Sequence, residues 1–181
     1  MIERLTSTPS NGFETVILPH LDAAYNLARW LTRNAADADD VVQEAFLRAV
    51  TYFGGFRGTN PRAWLLQIVR NTAYGSKKLV RGAVLVALPG DAGPDEPAAP
   101  ELVDPGDDPE TALVRQRDQQ RAQRLLAALP AELRETLVLR EIEELSYKEI
   151  AEITEVPIGT VMSRLWRGRQ ILTAAVKDEE R

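Results

Sequence analysis

The sequence predicts an all-α protein of two small helical domains, the second of which contains a helix-turn-helix. Apolar residues recur at helical spacing in both halves of the chain, and an acidic, proline-rich stretch separates the halves. No stretch alternates convincingly as a strand, and residues 83–88 are the best short candidate. A length of 181 residues suits one ordinary domain or two small ones.

The first half predicts three helices. The earliest carries its apolar positions at Leu21, Ala24, Tyr25, Ala28 and Leu31. The next follows acidic residues at 37–40, which suit a first turn, and its apolar positions are Val42, Ala45, Phe46, Ala49, Val50 and Phe53. The third begins at Asn60-Pro61, an N-cap followed by a first-turn proline, and meets a stop signal at Gly75.

A linker is predicted at residues 89–109, which contain six prolines and many acidic residues. Such a segment cannot continue a helix or bury a core, and its charge and prolines should keep it extended. We therefore expect an N-terminal domain at 1–88, a flexible linker at 89–109 and a C-terminal domain at 110–181.

The second half predicts a helix-turn-helix. One helix can start at Asp108-Pro109, and Pro130 opens another. Ser146 and Glu149 then form a capping-box pattern, which fixes the start of a short helix at 147–153. After four intervening residues a long helix begins at about Ile158, so that a short helix, a tight turn and a long helix follow one another.

Composition excludes several classes of protein. The chain has no cysteine and one histidine, His20, so disulfides, thiolate sites and histidine clusters are ruled out. No glycine-rich phosphate loop is present, and we expect no enzyme, cofactor, metal or catalytic residue. The apolar runs are far shorter than the roughly 20 residues that span a bilayer. We therefore expect a cytoplasmic protein without membrane insertion or a secretory signal.

The net charge of -5 conceals an uneven distribution. Residues 56–90 and 157–177 contain basic side chains and no acid, whereas residues 91–110 contain acids and no Lys or Arg. The sequence therefore predicts two basic, DNA-facing surfaces, held apart by the acidic linker.

The last helix has the pattern of a recognition helix. A narrow apolar arc is predicted to be buried at Ile158, Val161, Leu165 and Leu172. The opposite arc carries Thr160, Ser163, Arg164 and Arg167, whose hydroxyl and guanidinium groups suit phosphates and base edges. The polar face of a single basic helix is more often exposed to solvent than bound to DNA. Here the capped helix and the turn before it favour DNA binding. Trp166 lies between the arcs, where it either packs on a neighbouring helix or faces DNA.

A second basic segment, residues 56–78, interleaves aromatic and cationic side chains. Aromatic faces accept unstacked bases while cations hold the backbone, as melting DNA requires. The alternative is structural, because Trp64 also fits the apolar stripe of its helix. The residues concerned are Phe56, Trp64 and Tyr74 among Arg57, Arg62, Arg70, Lys77 and Lys78.

A third feature is the outward face of the helix at 39–46. Acids near a helix start complement the dipole, which suffices to explain Asp39 and Asp40. Gln43 and Glu44 extend that face, and the functional interpretation is a docking site for a basic partner helix.

Five segments together resemble the characteristic regions of extracytoplasmic-function (ECF) sigma factors of the sigma-70 family. They are DDVVQEAFLRAV at 39–50, FRG at 56–58, PRAWLLQIVRN at 61–71, LSYKEIAE at 145–152 and VPIGTVMSRL at 156–165. They occur in the family's order in both halves, with a linker where the family has one.

The resemblance implies a non-enzymatic subunit that directs core RNA polymerase to promoters, with an anti-sigma partner and a stress or envelope-response regulon. The minus-ten element would be bound and melted by Phe56, Arg57, Gly58, Thr59, Asn60, Arg62, Trp64, Gln67, Arg70, Asn71, Tyr74, Lys77 and Lys78. The minus-thirty-five element would be read by Thr160, Met162, Ser163, Arg164, Trp166, Arg167 and Arg169. The polymerase's beta-prime clamp helices would bind Asp39, Asp40, Gln43, Glu44 and Leu47.

The resemblance further implies that the C-terminal domain meets the beta flap and that the linker runs toward the active-site cleft. One departure is Met162, where the family commonly has Lys or Arg, which removes a phosphate contact. The alternative function is a stand-alone, dimeric helix-turn-helix regulator. Residues 56–78 argue against it, because a dimerisation domain has no need of aromatics interleaved with cations.

Overall fold

The structure is a computed structural model that describes residues 10–83 and 109–179. In these two ranges every regular element is helical. The N-terminal module, residues 10–83, contains α1 (Ser10–Ile17), α2 (Leu21–Thr32), α3 (Ala35–Tyr52) and α4 (Pro61–Ala83). The C-terminal module, residues 109–179, contains α5 (Pro109–Ala128), α6 (Ala131–Leu137), α7 (Tyr147–Thr154) and α8 (Ile158–Glu179). The predicted all-α class is confirmed.

The N-terminal module is built on mutual packing of α2, α3 and α4. Leu27 of α2 and Leu65, Leu66 and Val69 of α4 are fully buried, while α3 contributes mainly alanines to the core. Short side chains on α3 let the helix backbones approach closely, because little volume separates them. Asn34 caps α3, since its Oδ1 accepts a hydrogen bond from the amide of Ala36 at 2.8 Å.

Helix α4 does not stop at Gly75, so that part of the prediction is wrong. The helix continues through the glycine to Ala83, the first residue of the strand candidate. Gly75 has a negative φ, and no atom lies within 4 Å of the position that its Cβ would occupy. A single exposed glycine costs a helix only about 1 kcal/mol, which neighbouring turns can offset. Residues 84–88 and the predicted linker up to 108 lie outside the described residues.

The predicted helix-turn-helix is confirmed in the C-terminal module. Ser146 accepts a hydrogen bond from the amide of Glu149, and the Glu149 carboxylate accepts one from the amide of Ser146 at 2.7 Å. This capping box starts α7, and Glu155 ends it in a left-handed conformation with φ of 56°. Pro157 precedes α8, which begins at Ile158 as expected.

The apolar stripe of α8 differs from the prediction at its beginning. Val161 and Leu165 are buried as predicted, and Leu172 packs partly against the core. Ile158 is 46% exposed, because it stands in the first turn, before the helix reaches its neighbours. The buried arc also includes Gly168, where an added Cβ would lie 2.6 Å from Cδ1 of Leu137. The glycine therefore allows α8 to approach α6 closely.

The two modules pack against each other, with α4 lying on α7 and α2 contacting α6. Buried residues of both modules form one cluster. Acids of the C-terminal module cover part of the α4 surface, a contact that the sequence did not predict. Within residues 10–83 and 109–179, no helix is both long and apolar enough to cross a membrane.

Candidate nucleic-acid interface

The outward strip of α8 is the first part of the candidate interface. Met162, Ser163, Trp166 and Arg167 are all exposed, and Trp166 is 64% exposed. Trp166 therefore does not pack into the module, which was one of the two alternatives for it. Gln170 is exposed one turn further along and extends the strip. A glutamine in a long helix gives no sequence signal of its own, which is why Gln170 was not predicted.

Two arginines of α8 are held by acids of their own module. Arg164 donates from Nη2 to Glu132 at 2.8 Å, and only 16% of its side chain is exposed. Arg169 donates from Nη2 to Glu141 at 2.6 Å, and these hydrogen bonds raise the pKa of Arg169. Thr160 is half-buried, and its carbonyl accepts from the Ser163 hydroxyl at 2.9 Å. Arg167 has no such partner among the described residues, so its guanidinium is open to an external anion.

The loop before α4 is organised by aromatic rings. The ring centroids of Phe56 and Trp64 are 4.8 Å apart, and Phe53 stacks on Phe56 at 6.2 Å. Trp64 packs partly against the core, in agreement with the structural alternative for it. Arg57 is exposed and donates from Nη1 to the carbonyl of Gly54 at 2.8 Å, which braces the loop. The aromatic pair is thus preformed rather than free to reorient.

Gly58 lies under the Phe56 ring, whose edge would be 2.8 Å from a Cβ at that position. A cavity of about 360 Å³ opens beside it. One wall is formed by residues 55–60 with Ala63, Trp64 and Gln67, and the other by Glu152 and Ile153 of α7. Exposed Thr59 belongs to the first wall. The cavity therefore lies between the two modules, with an aromatic ring on one side.

The polar face of α4 is bonded to glutamates of the C-terminal module. Arg70 donates from Nε to Glu135 at 2.7 Å, and Arg62 pairs with Glu143. Further hydrogen bonds run from Asn60 Nδ2 to Glu149 at 2.6 Å and from Gln67 Nε2 to Glu155 at 3.1 Å. We call Glu135, Glu143, Glu149 and Glu155 the acidic face.

Tyr74 completes this contact, since its hydroxyl donates to Glu135 Oε2 at 3.4 Å and Arg70 lies over its ring. Burial, with the nearby Glu135 charge, raises the pKa of Tyr74 to about 12. Burial also raises the pKa of Glu135, against the opposing effect of Arg70. Asn71 is exposed, whereas the side chains of Lys77 and Lys78 lie outside the described residues.

The outward face of α3 is a third candidate surface. Asp39, Asp40, Gln43 and Glu44 are all exposed, as the sequence predicted. Leu47 is 66% exposed and Val50 is 54% exposed, so the face combines acids with an apolar patch. Val50 is one of the apolar positions at helical spacing on this helix, yet more than half of its side chain is exposed rather than packed in the core. Glu44 pairs with Arg48 one turn later at 2.7 Å, which gives it a local structural role.

Two family models match this chain. Sigma-70 region 2 matches residues 16–78, and Sigma-70 region 4 matches residues 119–172. The first match falls within the N-terminal module and the second within the C-terminal module. Both candidate DNA surfaces therefore lie in segments that the sigma-70 family shares.

Relatives that match along most of their length agree with this result. RNA polymerase sigma-H factor of Pseudomonas aeruginosa is 32% identical over 98% of this chain and 92% of its own length. ECF RNA polymerase sigma-E factor of Escherichia coli is 30% identical over 98% of this chain and 93% of its own.

A solved structure, that of the sigma factor RpoE in complex with the anti-sigma factor NepR from Bartonella quintana, has a similar fold. Its TM-score is 0.70 with 27% identity, over 92% of this chain and 98% of that one. CnrH in complex with the cytosolic domain of CnrY has a TM-score of 0.64 at 23% identity, which supports the fold alone. A stand-alone regulator is not favoured, since both sigma regions are present in order. The chain therefore belongs to the ECF sigma factors of the sigma-70 family and is an alternative-sigma transcription initiation factor.

Proposed function

We propose that this chain gives core RNA polymerase its promoter specificity through three surfaces of its own. The outward strip of α8 reads the minus-thirty-five element. The loop at 56–60 with α4 captures the minus-ten element, and the outward face of α3 docks on the beta-prime clamp helices. The observation that carries the proposal is the α8 strip, where exposed Ser163, Trp166 and Arg167 follow a capped helix and a tight turn.

The role of α8 rests on reach and charge. A recognition helix enters the major groove with polar side chains toward base edges, and a guanidinium can bind guanine with two hydrogen bonds. Arg167 is the cation of the strip that stays unpaired among the described residues, whereas Arg164 and Arg169 are occupied by Glu132 and Glu141. We therefore assign base reading to Arg167, and we assign the positioning of α8 in the groove to the rest of the strip.

The role of the loop rests on its cavity and rings. Phe56 and Trp64 offer aromatic faces beside a cavity of about 360 Å³, and the exposed Arg57 supplies positive charge at its edge. Stacking on aromatic rings suits an unstacked base and does not depend strongly on its identity. The wall of the cavity that the loop and α4 form is the proposed receptor for a base of the melted minus-ten strand.

The role of α3 rests on its mixed character. Leu47 and Val50 expose apolar surface beside Asp39, Asp40 and Glu44. An apolar centre ringed by acids suits a basic, amphipathic partner helix. The clamp helices are the proposed partner, and the beta flap is the proposed partner of the C-terminal module.

We further infer control by an anti-sigma factor, supported by the RpoE structure, which was determined with its anti-sigma factor. We also propose a stress or envelope-response regulon, as the resemblance to ECF sigma factors implies. The proposed activity requires polymerase and DNA, so we place the protein in the cytoplasm and expect no catalysis of its own.

Run-off transcription tests the proposed function. Purified core polymerase and a library of promoters are incubated with the wild-type chain, and promoter-dependent transcripts are sequenced. Transcripts from a defined subset of promoters are expected. Leu47→Asp should abolish them, because a charge in the apolar centre opposes docking, while the exposed Leu113→Asp on α5 should retain them. If wild-type protein yields no promoter-dependent transcript, the proposal is overturned.

A further inference from the structure

Five of the side chains proposed to contact the minus-ten element are already hydrogen-bonded within this chain. Asn60, Arg62, Gln67, Arg70 and Tyr74 each bond a glutamate of the C-terminal module. These contacts run along α4 from its N-cap to its fourth turn. They therefore extend over about four turns of the proposed DNA surface rather than touching it at one point.

The acceptors have the chemistry of a phosphate chain. Glu135, Glu143, Glu149 and Glu155 present anionic oxygens to guanidinium and amide donors, and these donor types also bind DNA phosphates. Glu135 comes from α6, Glu143 follows the π-helical turn Val138–Ile142, and Glu149 belongs to α7. Successive segments of one module thus place their carboxylates along a single helix of the other.

Burial distinguishes this contact from ordinary surface ion pairs. The Glu135 side chain is 0% exposed and that of Glu143 is 4% exposed, while Arg70 and Arg62 are 18% and 32% exposed. Water and salt therefore screen these pairs less than they screen exposed pairs. A DNA phosphate cannot use the Nε donor of Arg70 while Glu135 occupies it.

The C-terminal module also limits access to the cavity beside Phe56. Glu152 and Ile153 of α7 form its second wall, opposite Trp64. The negative charge of Glu152 on this wall repels an approaching phosphate, and α7 occupies the space on that side. The C-terminal module, which carries α8, therefore also limits access of DNA to the proposed minus-ten receptor.

We propose that the acidic face is an internal competitor of the minus-ten strand, so that the free protein is closed and opens when polymerase or DNA separates the modules. The inference rests on the proposed role of α4 and goes beyond it, because it assigns a regulatory role to four glutamates that touch no DNA. Closure would prevent the free protein from occupying single-stranded DNA away from polymerase.

Binding of single-stranded DNA by the full-length chain tests the competition. The probe is a fluorescein-labelled strand of random sequence, about 16 nucleotides long, followed by anisotropy. The double variant Glu135→Gln/Glu143→Gln should bind at least tenfold more tightly than wild type. The control Glu144→Gln/Asp178→Asn removes the same charge from exposed positions of the same module and should gain less than threefold. Equal gains in the two double variants would overturn the competition.

A distance measurement tests the closure without polymerase or DNA. The cysteine-free chain allows spin labels at Asp37→Cys on α3 and Lys177→Cys on α8, both exposed and outside the contact. Pulsed electron resonance should give one narrow distance for free wild type and a longer, broader distribution with core polymerase. A broad distribution in the free protein would overturn closure. If the wild-type chain gives the narrow distance when free but no promoter-dependent transcript, the result would count against the proposed function and not against closure.

A cross-link keeps the test valid if the glutamine variants fail to fold. Gln67→Cys and Glu155→Cys stand where a hydrogen bond of 3.1 Å now joins α4 to the end of α7. Joined by a short, reducible bismaleimide, the chain should lose at least tenfold in affinity for the labelled strand and regain it after reduction. Equal binding before and after reduction would overturn the proposal.

Discussion

Arg70 and Glu135 are 65 residues apart in the chain, and their side chains meet at 2.7 Å between Nε and Oε1. Glu135 is fully buried, and Tyr74 supplies its second hydrogen bond. Burial of a carboxylate is costly unless a cation and further donors compensate for lost water. The pair is therefore a point at which the association of the two modules depends on electrostatics.

Removing one partner of this pair should cost more than removing both. Arg70→Leu or Glu135→Leu should each lower the free energy of unfolding by about 3 kcal/mol, because each leaves a buried charge without compensation. The double variant should lose less than either single variant, because it leaves no buried charge unpaired, so the two effects should not add. Urea unfolding of the four proteins measures this coupling. The exposed pair Arg169–Glu141 is the control, and its loss should cost less than about 1 kcal/mol. Strict additivity for Arg70 and Glu135 would contradict the prediction.

The capping box should make the stability of α7 depend on pH. Hydrogen bonds from the Ser146 hydroxyl and then its amide lower the pKa of Glu149. Because the folded pKa lies below the unfolded value of about 4.3, this stabilisation is complete above that pH. It is lost as pH falls through the folded pKa, when Glu149 becomes protonated.

Ser146→Ala measures that contribution. At pH 7 the variant should be less stable than wild type by about 1 kcal/mol, and the gap should narrow as the pH falls below about 4.3. Chemical unfolding at a series of pH values provides the comparison. Ser163→Ala removes an exposed hydroxyl that bonds a carbonyl instead of a carboxylate, so its effect should not vary with pH. A constant gap for Ser146→Ala would refute the assignment.

Gly168 should not tolerate a methyl group. Its Cβ would lie 2.6 Å from Cδ1 and 3.2 Å from Cγ of the buried Leu137. Overpacking a core costs about 1–3 kcal/mol, which exceeds the roughly 1 kcal/mol gained by replacing a helical glycine. Gly168→Ala should therefore lower the melting temperature. Gly159→Ala, on the same helix with no atom within 4 Å, should keep or raise it. Equal melting temperatures for both variants would contradict the prediction, because they would show that α6 shifts without cost to accommodate the methyl group.

Arg167 should determine promoter choice more than its neighbours. Arg167→Ala should weaken upstream-element binding by about 1–3 kcal/mol and relax the preference at one base pair. Lys177→Ala, an exposed cation near the end of α8, should change affinity uniformly across sequences or leave it unchanged. Transcription from a library randomised in the upstream element measures both. An unchanged preference in Arg167→Ala would exclude base reading by that residue.

Local features of the sequence predicted local structure well. Ser146 and Glu149 stand three residues apart, a spacing that is meaningful only at a helix start, and the structure contains the box. Gly75 misled because a glycine that ends a helix and one that is tolerated within it look alike in sequence. Ile158 misled because periodicity locates a face but does not show how far neighbouring helices extend over it.

Contacts between the modules could not be predicted. The sequence shows a basic segment at 56–78 and glutamates after residue 130, but charge alone does not specify which acid meets Arg62 or Arg70. Those partners depend on how α4 lies on α7, and that arrangement follows from packing of both modules together. The sequence therefore predicted the donors of the minus-ten surface without predicting what covers them.

Ile158, Met162 and Trp166 follow one another at four-residue intervals on the outer side of α8, and all three are exposed. A lysine in place of Met162 would displace a condensed counterion from DNA, and each such contact steepens the decline of affinity with rising salt by roughly 0.9 in the logarithmic slope. Apolar contacts with thymine methyl groups displace no ions. In the proposed complex, therefore, the affinity of α8 for the minus-thirty-five element should fall less steeply with rising salt than the affinity of a helix with lysine at position 162. This difference matters when a cell accumulates ions under osmotic load.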